Sequence, residues 1–334
     1  MDPVVFQERL MACLSSTRAP GRQISDIAGL KPVAGGWETD IWFFTATDER
    51  GRQEDLVLRI YPGLRSVRTC EHEGRTMKQL EAAGYPVPAI HLVGLDPAYF
   101  GGPFLVMDRL SGPVMGIETF QDELPAFLQL FVRLHRLDWR PFAADAAALE
   151  QVPPAERLPR GVAEFRRQFA ARGREPMMAP CLEWLERRVR GVISPTYAVT
   201  HNDFHPFNVL HRADGSLAVI DWPSATVQDY RVDLAWTWML IRAYGGAEAA
   251  EAVLRGYEAV AGRPVEHFDL FVVAALARRL SDLVIAMQEG AGSVGMRPGM
   301  EEEFRRQADH VRFIYGLMRE MIGARLPEVE AVLG

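Results

Sequence analysis

The chain has 334 residues, long enough for two packed lobes rather than one minimal domain. Hydrophobic residues make up 48% and charged residues 24%, an ordinary globular composition that excludes a disordered or collagen-like chain. A formal charge of -7 argues against a nucleic-acid surface, and the three distant cysteines, Cys13, Cys70 and Cys181, exclude a disulfide framework or a paired-cysteine zinc site and suit the cytoplasm.

In chain order, residues 3–15, PVVFQERLMACLS, carry helical spacing and are expected to form a helix outside the first lobe. Asp2 and Glu8 speak against a signal peptide. From Ile24 to Gly63 the pattern changes to short strands. DIWFFTAT and DLVLRIYP flank the polar turn DERGRQE, which predicts a hairpin. A helix follows over SVRTCEHEGRTMKQLEAAG, closed by Gly84 and Pro86, and then a strand in PFLVMDRLSGP.

Beyond Gly112 helices dominate, beginning with LPAFLQLFVRLHRLDW. FDLFVVAALARRLSDLVIAM is interrupted by Arg278, Arg279 and Asp282, so it reads as a buried helix and no membrane span is expected. The last helix shows a core-facing stripe of Phe304, Ala308, Val311, Tyr315, Met318 and Ile322. Glu301 to Glu303 complement a helix start. The expected division is a helical extension at 1–23, a β-rich lobe at 24–109 and a helical lobe at 110–334, hinged near Asp108 to Leu110.

Within the helical half lies a β-rich island, VTHNDFHPFNVLHRADGSLAVIDW, with strands near YAVTH, NVLHR and LAVID and a turn at ADGS. Two chemistries compete for it. A metal-dependent hydrolase would use His201, Asp203 and His205, which alternate along one strand face. The remaining histidines (His72, His91, His135, His267 and His310) stand singly and add no obvious fourth ligand. Phosphoryl transfer needs a carboxylate at the attacking hydroxyl, oxygen ligands for Mg²⁺, a cation on the phosphates and a lid. Asp203 supplies the carboxylate, while Asn208 and Asp221 supply hard oxygens in kinase-like spacing.

HNDFHPFNVL, VIDW and DYRVDLAW together resemble the aminoglycoside phosphotransferase family, which includes choline-kinase-like small-molecule kinases. PVAGGWETDIWFF resembles that family's phosphate loop, LVLRIYP its cation-bearing strand, and EHEGRTMKQL the helix carrying the cation's glutamate partner. LHRLDW resembles a stretch of its first C-lobe helix.

The resemblance implies a two-lobed α+β, protein-kinase-like fold with the active site in the cleft between lobes. It implies transfer of the γ-phosphoryl group of ATP, or GTP, to a hydroxyl of a small molecule such as an aminoglycoside, macrolide or amino alcohol. On that basis Asp203 is the catalytic base, Asn208 and Asp221 hold Mg²⁺, and Arg59, positioned by Glu73, fixes the phosphates. Gly35, Gly36, Trp37, Glu38 and Thr39 cover the nucleotide, and Asp108, Arg109 and Leu110 serve the adenine through main-chain groups. His201 braces the loop, His205 braces it or faces substrate, and Asp229 and Asp233 cap the next helix or brace the loop.

Several positions depart from the family pattern. Asn202 and Phe207 stand where glycine is usual, Arg59 where many kinases have Lys, and Pro223 where protein kinases have Gly. Asn tolerates a left-handed backbone, so the turn at Asn202 is expected to survive. A protein kinase would need an activation segment closed by Ala-Pro-Glu, and none follows Asp221. A nucleotide-binding protein without turnover is the remaining alternative. Trp236, Trp238 and Phe271 would permit a partly apolar substrate pocket.

Overall fold

The structure, a computed structural model, describes residues 3–16, 23–33, 39–62, 66–116, 119–290 and 308–333. Its contacts divide the chain into two compact units, Met1–Val114 with Val209–Ser224, and Met115–Asn208 with Ala225–Gly334. The division differs from the expected one in two places. The helix expected outside the first lobe joins the core of the first unit, and a hairpin from the middle of the catalytic stretch also belongs to that unit.

The first unit is built on a five-stranded antiparallel sheet in the order β1-β2-β3-β5-β4. The strands are β1 (Ile24–Val33), β2 (Asp40–Asp48), β3 (Gln53–Ile60), β4 (Ile90–Gly94) and β5 (Phe104–Asp108). The predicted hairpin is β2–β3, in register from Asp40 opposite Ile60 to Thr47 opposite Gln53. Asp48 Oδ1 closes its turn by accepting from the Arg50 and Arg52 N–H groups at 2.9 and 3.0 Å. Along β3 the pleat buries Leu56, Leu58 and Ile60 on one face, so Arg59 points to the other.

Helix α1 (Pro3–Ser16) places Phe6, Leu10 and Leu14 at four-residue spacing, and these pack with Ile24, Ile27, Phe44 and Leu58. Such a stripe must be covered, and the sheet covers it. Helix α2 (Ser66–Ala82) buries Cys70, Glu73, Met77 and Leu80. The hairpin β7 (Val209–His211) and β8 (Leu217–Val219), joined through ADGS, also lies in this unit. Gly112 permits its approach, because a Cβ there would sit 2.0 Å from the His211 carbonyl oxygen.

The second unit is mainly helical: α3 (Phe120–His135), α4 (Ala146–Glu150), α5 (Pro154–Ala171), α6 (Glu175–Arg188), α7 (Tyr230–Tyr244), α8 (Gly246–Ala261), α9 (Phe268–Glu289), α10 (Ala308–Ile322) and α11 (Pro327–Leu333). A two-stranded antiparallel ribbon, β6 (Ala198–Thr200) with β9 (Thr226–Gln228), lies among them. Helix α9 runs through the core, burying Leu270, Val273, Leu276, Leu280 and Val284. None of the described helices is long and apolar enough to cross a membrane. In α10, Val311, Tyr315 and Met318 are buried as the stripe predicts; Phe304 and Glu301 to Glu303 lie outside the described residues.

Candidate active site

The loop between β6 and β7 carries Asp203 and Asn208 and belongs to the second unit. Phe204 anchors it. The ring is fully buried, stacked on Phe131 at 4.2 Å between centroids and tilted against Phe127 at 4.8 Å. With Phe204 inward, the neighbouring Asp203 stays 36% exposed.

Asn202 adopts φ 65°, the left-handed conformation anticipated for this departure from glycine. Its Oδ1 accepts from Gln228 Nε2 at 2.5 Å, a bond glycine could not make. Asn202→Val is expected to cost about 2 kcal/mol, combining a β-branched residue at positive φ with the lost bond, whereas Asn202→Gly costs less than about 1 kcal/mol. Urea titration of the two variants measures the difference.

Helix α7 grips the loop through one face. Asp233, Trp236 and Thr237, at i, i+3 and i+4, meet four consecutive loop residues. Asp233 Oδ2 accepts from the His201 N–H at 2.7 Å, and Oδ1 from the Asn202 N–H at 2.8 Å. Trp236 Nε1 donates to Asp203 Oδ1 at 2.8 Å, and Thr237 Oγ1 donates to the Phe204 carbonyl at 2.6 Å. Asp233 therefore contacts the loop, while Asp229 caps α7 through the Arg231 N–H and also holds the Arg231 guanidinium and the Ser194 hydroxyl. His135 supports Asp233 from behind: its Nε2 is 3.2 Å from Asp233 Oδ2 and its Nδ1 2.7 Å from the Tyr257 hydroxyl. His135, a single histidine of the LHRLDW stretch, is thus a packed histidine rather than a metal ligand.

His201 is buried, and its Nδ1 accepts from the Asp203 N–H at 3.2 Å. His205 Nε2 lies 3.5 Å from Asp203 Oδ2 and 3.2 Å from Asn208 Nδ2, so it contacts the loop from within. Asn208 Nδ2 also donates to the Asp203 carbonyl at 2.9 Å. With the amide nitrogen so engaged, Oδ1 is the end left for a cation. Phe207 is 50% exposed and does not fill the loop interior.

Burial pushes the Asp203 carboxyl up, but the hydrogen bond and charge of His205, the Trp236 N–H and the charge of His201 more than offset this and hold it well below the usual carboxylate range. A carboxylate with a depressed pKa stays charged above that value and loses its charge only as pH falls through it. The Asp203 carboxyl carbon is therefore expected to show no NMR titration between about pH 8 and pH 4, the ordinary aspartate value lying near 4. A midpoint at or above that value contradicts the assignment.

Arg59, Glu73 and Asp221 form a second cluster, inside the first unit. Arg59 Nη1 meets Glu73 Oε1 at 2.9 Å, Nη2 meets Asp221 Oδ1 at 2.7 Å, and Nε donates to Thr39 Oγ1 at 2.9 Å. Glu73 is fully buried and takes further bonds from the Tyr61 hydroxyl and the Trp222 N–H. Burial and the Asp221 charge push its carboxyl up, and Arg59, Tyr61 and the Trp222 N–H offset that shift only in part. Asp221 sits at φ 70° with its side chain 37% exposed. One guanidinium thus faces two carboxylates. With the Glu73 oxygens taken by Arg59, Tyr61 and the Trp222 N–H, the partly exposed Asp221 carboxylate is the hard oxygen group of this cluster suited to a divalent cation.

At the expected hinge, the Asp108 N–H is bonded to the Ala89 carbonyl and the Arg109 N–H to the Asp55 carbonyl. Asp108 Oδ1 meets His91 Nε2 at 2.7 Å, which holds its carboxyl below the ordinary value. The Arg109 guanidinium lies over Phe43 at 4.4 Å. Any adenine contact from Asp108 to Leu110 must use the remaining main-chain groups. Gly35, Gly36, Trp37 and Glu38 lie outside the described residues; Thr39 is buried against Arg59.

Two of the three aromatic residues that would permit an apolar pocket have partners within the second unit. Trp236 bonds Asp203, and Phe271 is buried beneath the Arg231 guanidinium at 4.4 Å. Among the described residues, no group of three or more His, Cys, Asp or Glu side chains is placed to hold a metal ion, so His201, Asp203 and His205 do not form the ligand set of the hydrolase reading.

The family model described as "APH: Phosphotransferase enzyme family" matches residues 29–268. The chain belongs to this phosphotransferase family. The match runs from β1 to the first residue of α9 and so includes both clusters. The fold is protein-kinase-like, with an antiparallel β-rich part and a larger helical remainder.

A Ralstonia eutropha structure described as a "putative aminoglycoside phosphotransferase" superposes with a TM-score of 0.64 at 17% identity, covering 97% of this chain and 98% of that one. Plasmodium vivax ethanolamine kinase gives a TM-score of 0.58 at 12% identity over 88% and 84%. A thermostable APH(4)-Ia mutant in ternary complex with AMP-PNP and hygromycin B gives 0.50 at 19% identity over 84% and 94%. In sequence, the chain is 28% identical over 197 residues to mouse acyl-CoA dehydrogenase family member 10, covering 54% of this chain. The chain matches only 18% of that protein's length, and 24% of the corresponding Arabidopsis thaliana relative.

Proposed function

We propose that the chain is a small-molecule kinase that moves the γ-phosphoryl group of ATP to a hydroxyl acceptor. The observation that carries this reading is the state of Asp203: a partly exposed carboxylate, held charged and fixed through Oδ1, on a loop anchored by Phe204. Phosphoryl transfer asks a protein mainly for positioning and electrostatics, so a weakly basic but well-placed carboxylate suits the reaction.

In this reading Asp203 aligns the acceptor hydroxyl and takes its proton as the bond to phosphorus forms. Arg59, braced by Glu73, binds the α/β-phosphates. Asn208 Oδ1 and the Asp221 carboxylate hold Mg²⁺, which when bound neutralises charge on the phosphates. The stretch from Gly35 to Thr39 covers the nucleotide, and main-chain groups of Asp108 to Leu110 receive the base. His201, Asp229 and Asp233 are structural, keeping the Asp203 turn in place. ATP is favoured over GTP by the AMP-PNP complex of APH(4)-Ia. The cytoplasm supplies ATP and suits free cysteines Cys13, Cys70 and Cys181.

The acceptor has two candidate classes. Solved neighbours include proteins described as acting on aminoglycosides and ethanolamine, which favours an antibiotic or amino alcohol. The mouse and Arabidopsis relatives are described as acyl-CoA dehydrogenases, which favours a hydroxylated acyl thioester. An ADP-release screen across aminoglycosides, macrolides, amino alcohols and hydroxyacyl-CoA thioesters separates them. Turnover in any class supports a kinase; ATP binding without ADP release in all classes favours a nucleotide-binding protein without turnover.

A further inference from the structure

Arg278 and Trp236 are unexpected company for a catalytic loop. Trp236 is an aromatic residue on a helix, only 5% exposed, and would ordinarily be counted as core. Its indole N–H is nevertheless spent on Asp203 Oδ1 rather than on a backbone carbonyl. Arg278, in α9, places its guanidinium carbon 4.0 Å from the centroid of the Trp236 ring. Arg278 Nη1 then donates to the Asn202 carbonyl at 3.1 Å. Two helices therefore converge on residues 202 and 203, one through the indole edge and the other through a cation laid over the indole face.

We propose that Trp236, clamped beneath Arg278, is the positioning residue that dedicates Asp203 Oδ1 to the indole N–H, so that Oδ2, 3.5 Å from His205 Nε2, is the oxygen that receives the acceptor hydroxyl. This rests on the kinase reading and names how that same carboxylate is aimed. The indole N–H on Oδ1 restrains rotation about χ2, so Oδ2 keeps a narrower range of directions in which to accept a proton. An indole suits the task, being donor-only and therefore unable to compete for the substrate proton. A planar guanidinium over the ring fixes its tilt, which a lysine ammonium would do less well. Burial pulls the Arg278 guanidinium down from its ordinary value, with Asp282, Asp203 and Asp233 opposing the shift, so the neighbouring carboxylates keep the cation in place.

The test is a double-mutant cycle on the 334-residue chain, using the acceptor found by the screen. Trp236→Phe keeps the ring and removes the donor. It is expected to lower kcat by about ten- to a hundredfold, the value of a hydrogen bond to a charged group, with the nucleotide KM within about twofold. In an Asp203→Asn background the same substitution should change the residual rate by less than about twofold, because the carboxylate it aims is gone. An equal loss in both backgrounds, or no loss in either, overturns the proposal. If Trp236→Phe does not fold, Arg278→Lys carries the same cycle, since it keeps the charge and loses the planar clamp. Failure of the kinase reading looks different: Asp203→Asn alone would then retain full turnover.

Discussion

Replacing Asp203 with Asn is expected to lower kcat by about 10²–10⁴-fold, the range for loss of a positioned general base. The nucleotide dissociation constant should change by less than about threefold. The substitution is nearly isosteric and leaves the Trp236 N–H a carbonyl-type acceptor, so the loop geometry should persist. What disappears is the negative charge and the ability to take a proton. Because Phe204 and Asp233 fix the surrounding backbone independently, thermal stability should be almost unchanged. Steady-state kinetics with ADP detection, paired with nucleotide titration, separates the two quantities. A variant with weakened nucleotide binding and near-normal kcat would place Asp203 on the nucleotide instead.

Glu73→Ala should destabilise the first unit by about 3 kcal/mol. Breaking a buried ion pair generally costs about 3–5 kcal/mol, because the partner charge is left uncompensated. Here Asp221 remains on the same guanidinium and keeps the loss at the lower end. The Tyr61 hydroxyl and the Trp222 N–H also lose their acceptor in a site closed to water. Glu73→Gln should lose less, since its amide oxygen can still accept from Arg59 and Trp222. Urea unfolding reads the stability, and the nucleotide KM should rise at least about tenfold in Glu73→Ala as Arg59 loses its brace. A fall of less than about 1 kcal/mol would mean that the pair is not the anchor described.

Much of the first unit was legible because its signals are local. Alternation in DIWFFTAT and DLVLRIYP around a Gly-containing turn gives the β2–β3 hairpin and puts Arg59 opposite Leu58 and Ile60. The partner of Arg59 was not local. Glu73 stands 14 residues away on a helix with several other charges, and only the family resemblance singled it out. The stripe on α1 predicted a helix but not the surface that covers it, which is why Phe6, Leu10 and Leu14 were set outside a core they join.

The helical half shows the same limit. Asp229 and Asp233 look alike in sequence as helix-start carboxylates, yet one caps α7 and the other, a turn inside it, binds the loop backbone. Trp236 carried no sequence signal for a role at Asp203, because a tryptophan in an apolar helix is normally core. A register argument could have found it: Trp236 and Thr237 follow Asp233 at i+3 and i+4, so a helix that touches the loop through Asp233 must present them too. The strands β4 and β9 escaped for want of pattern, β9 being only three residues long.

Phosphorus-31 NMR of a reaction containing the chain, Mg-ATP and the acceptor identified by the screen tests the central claim most directly. The account predicts a new phosphate-monoester resonance appearing in step with ADP, and absent from the Asp203→Asn reaction. Inorganic phosphate as the sole new product, or an ester formed equally well without the Asp203 carboxylate, would contradict it.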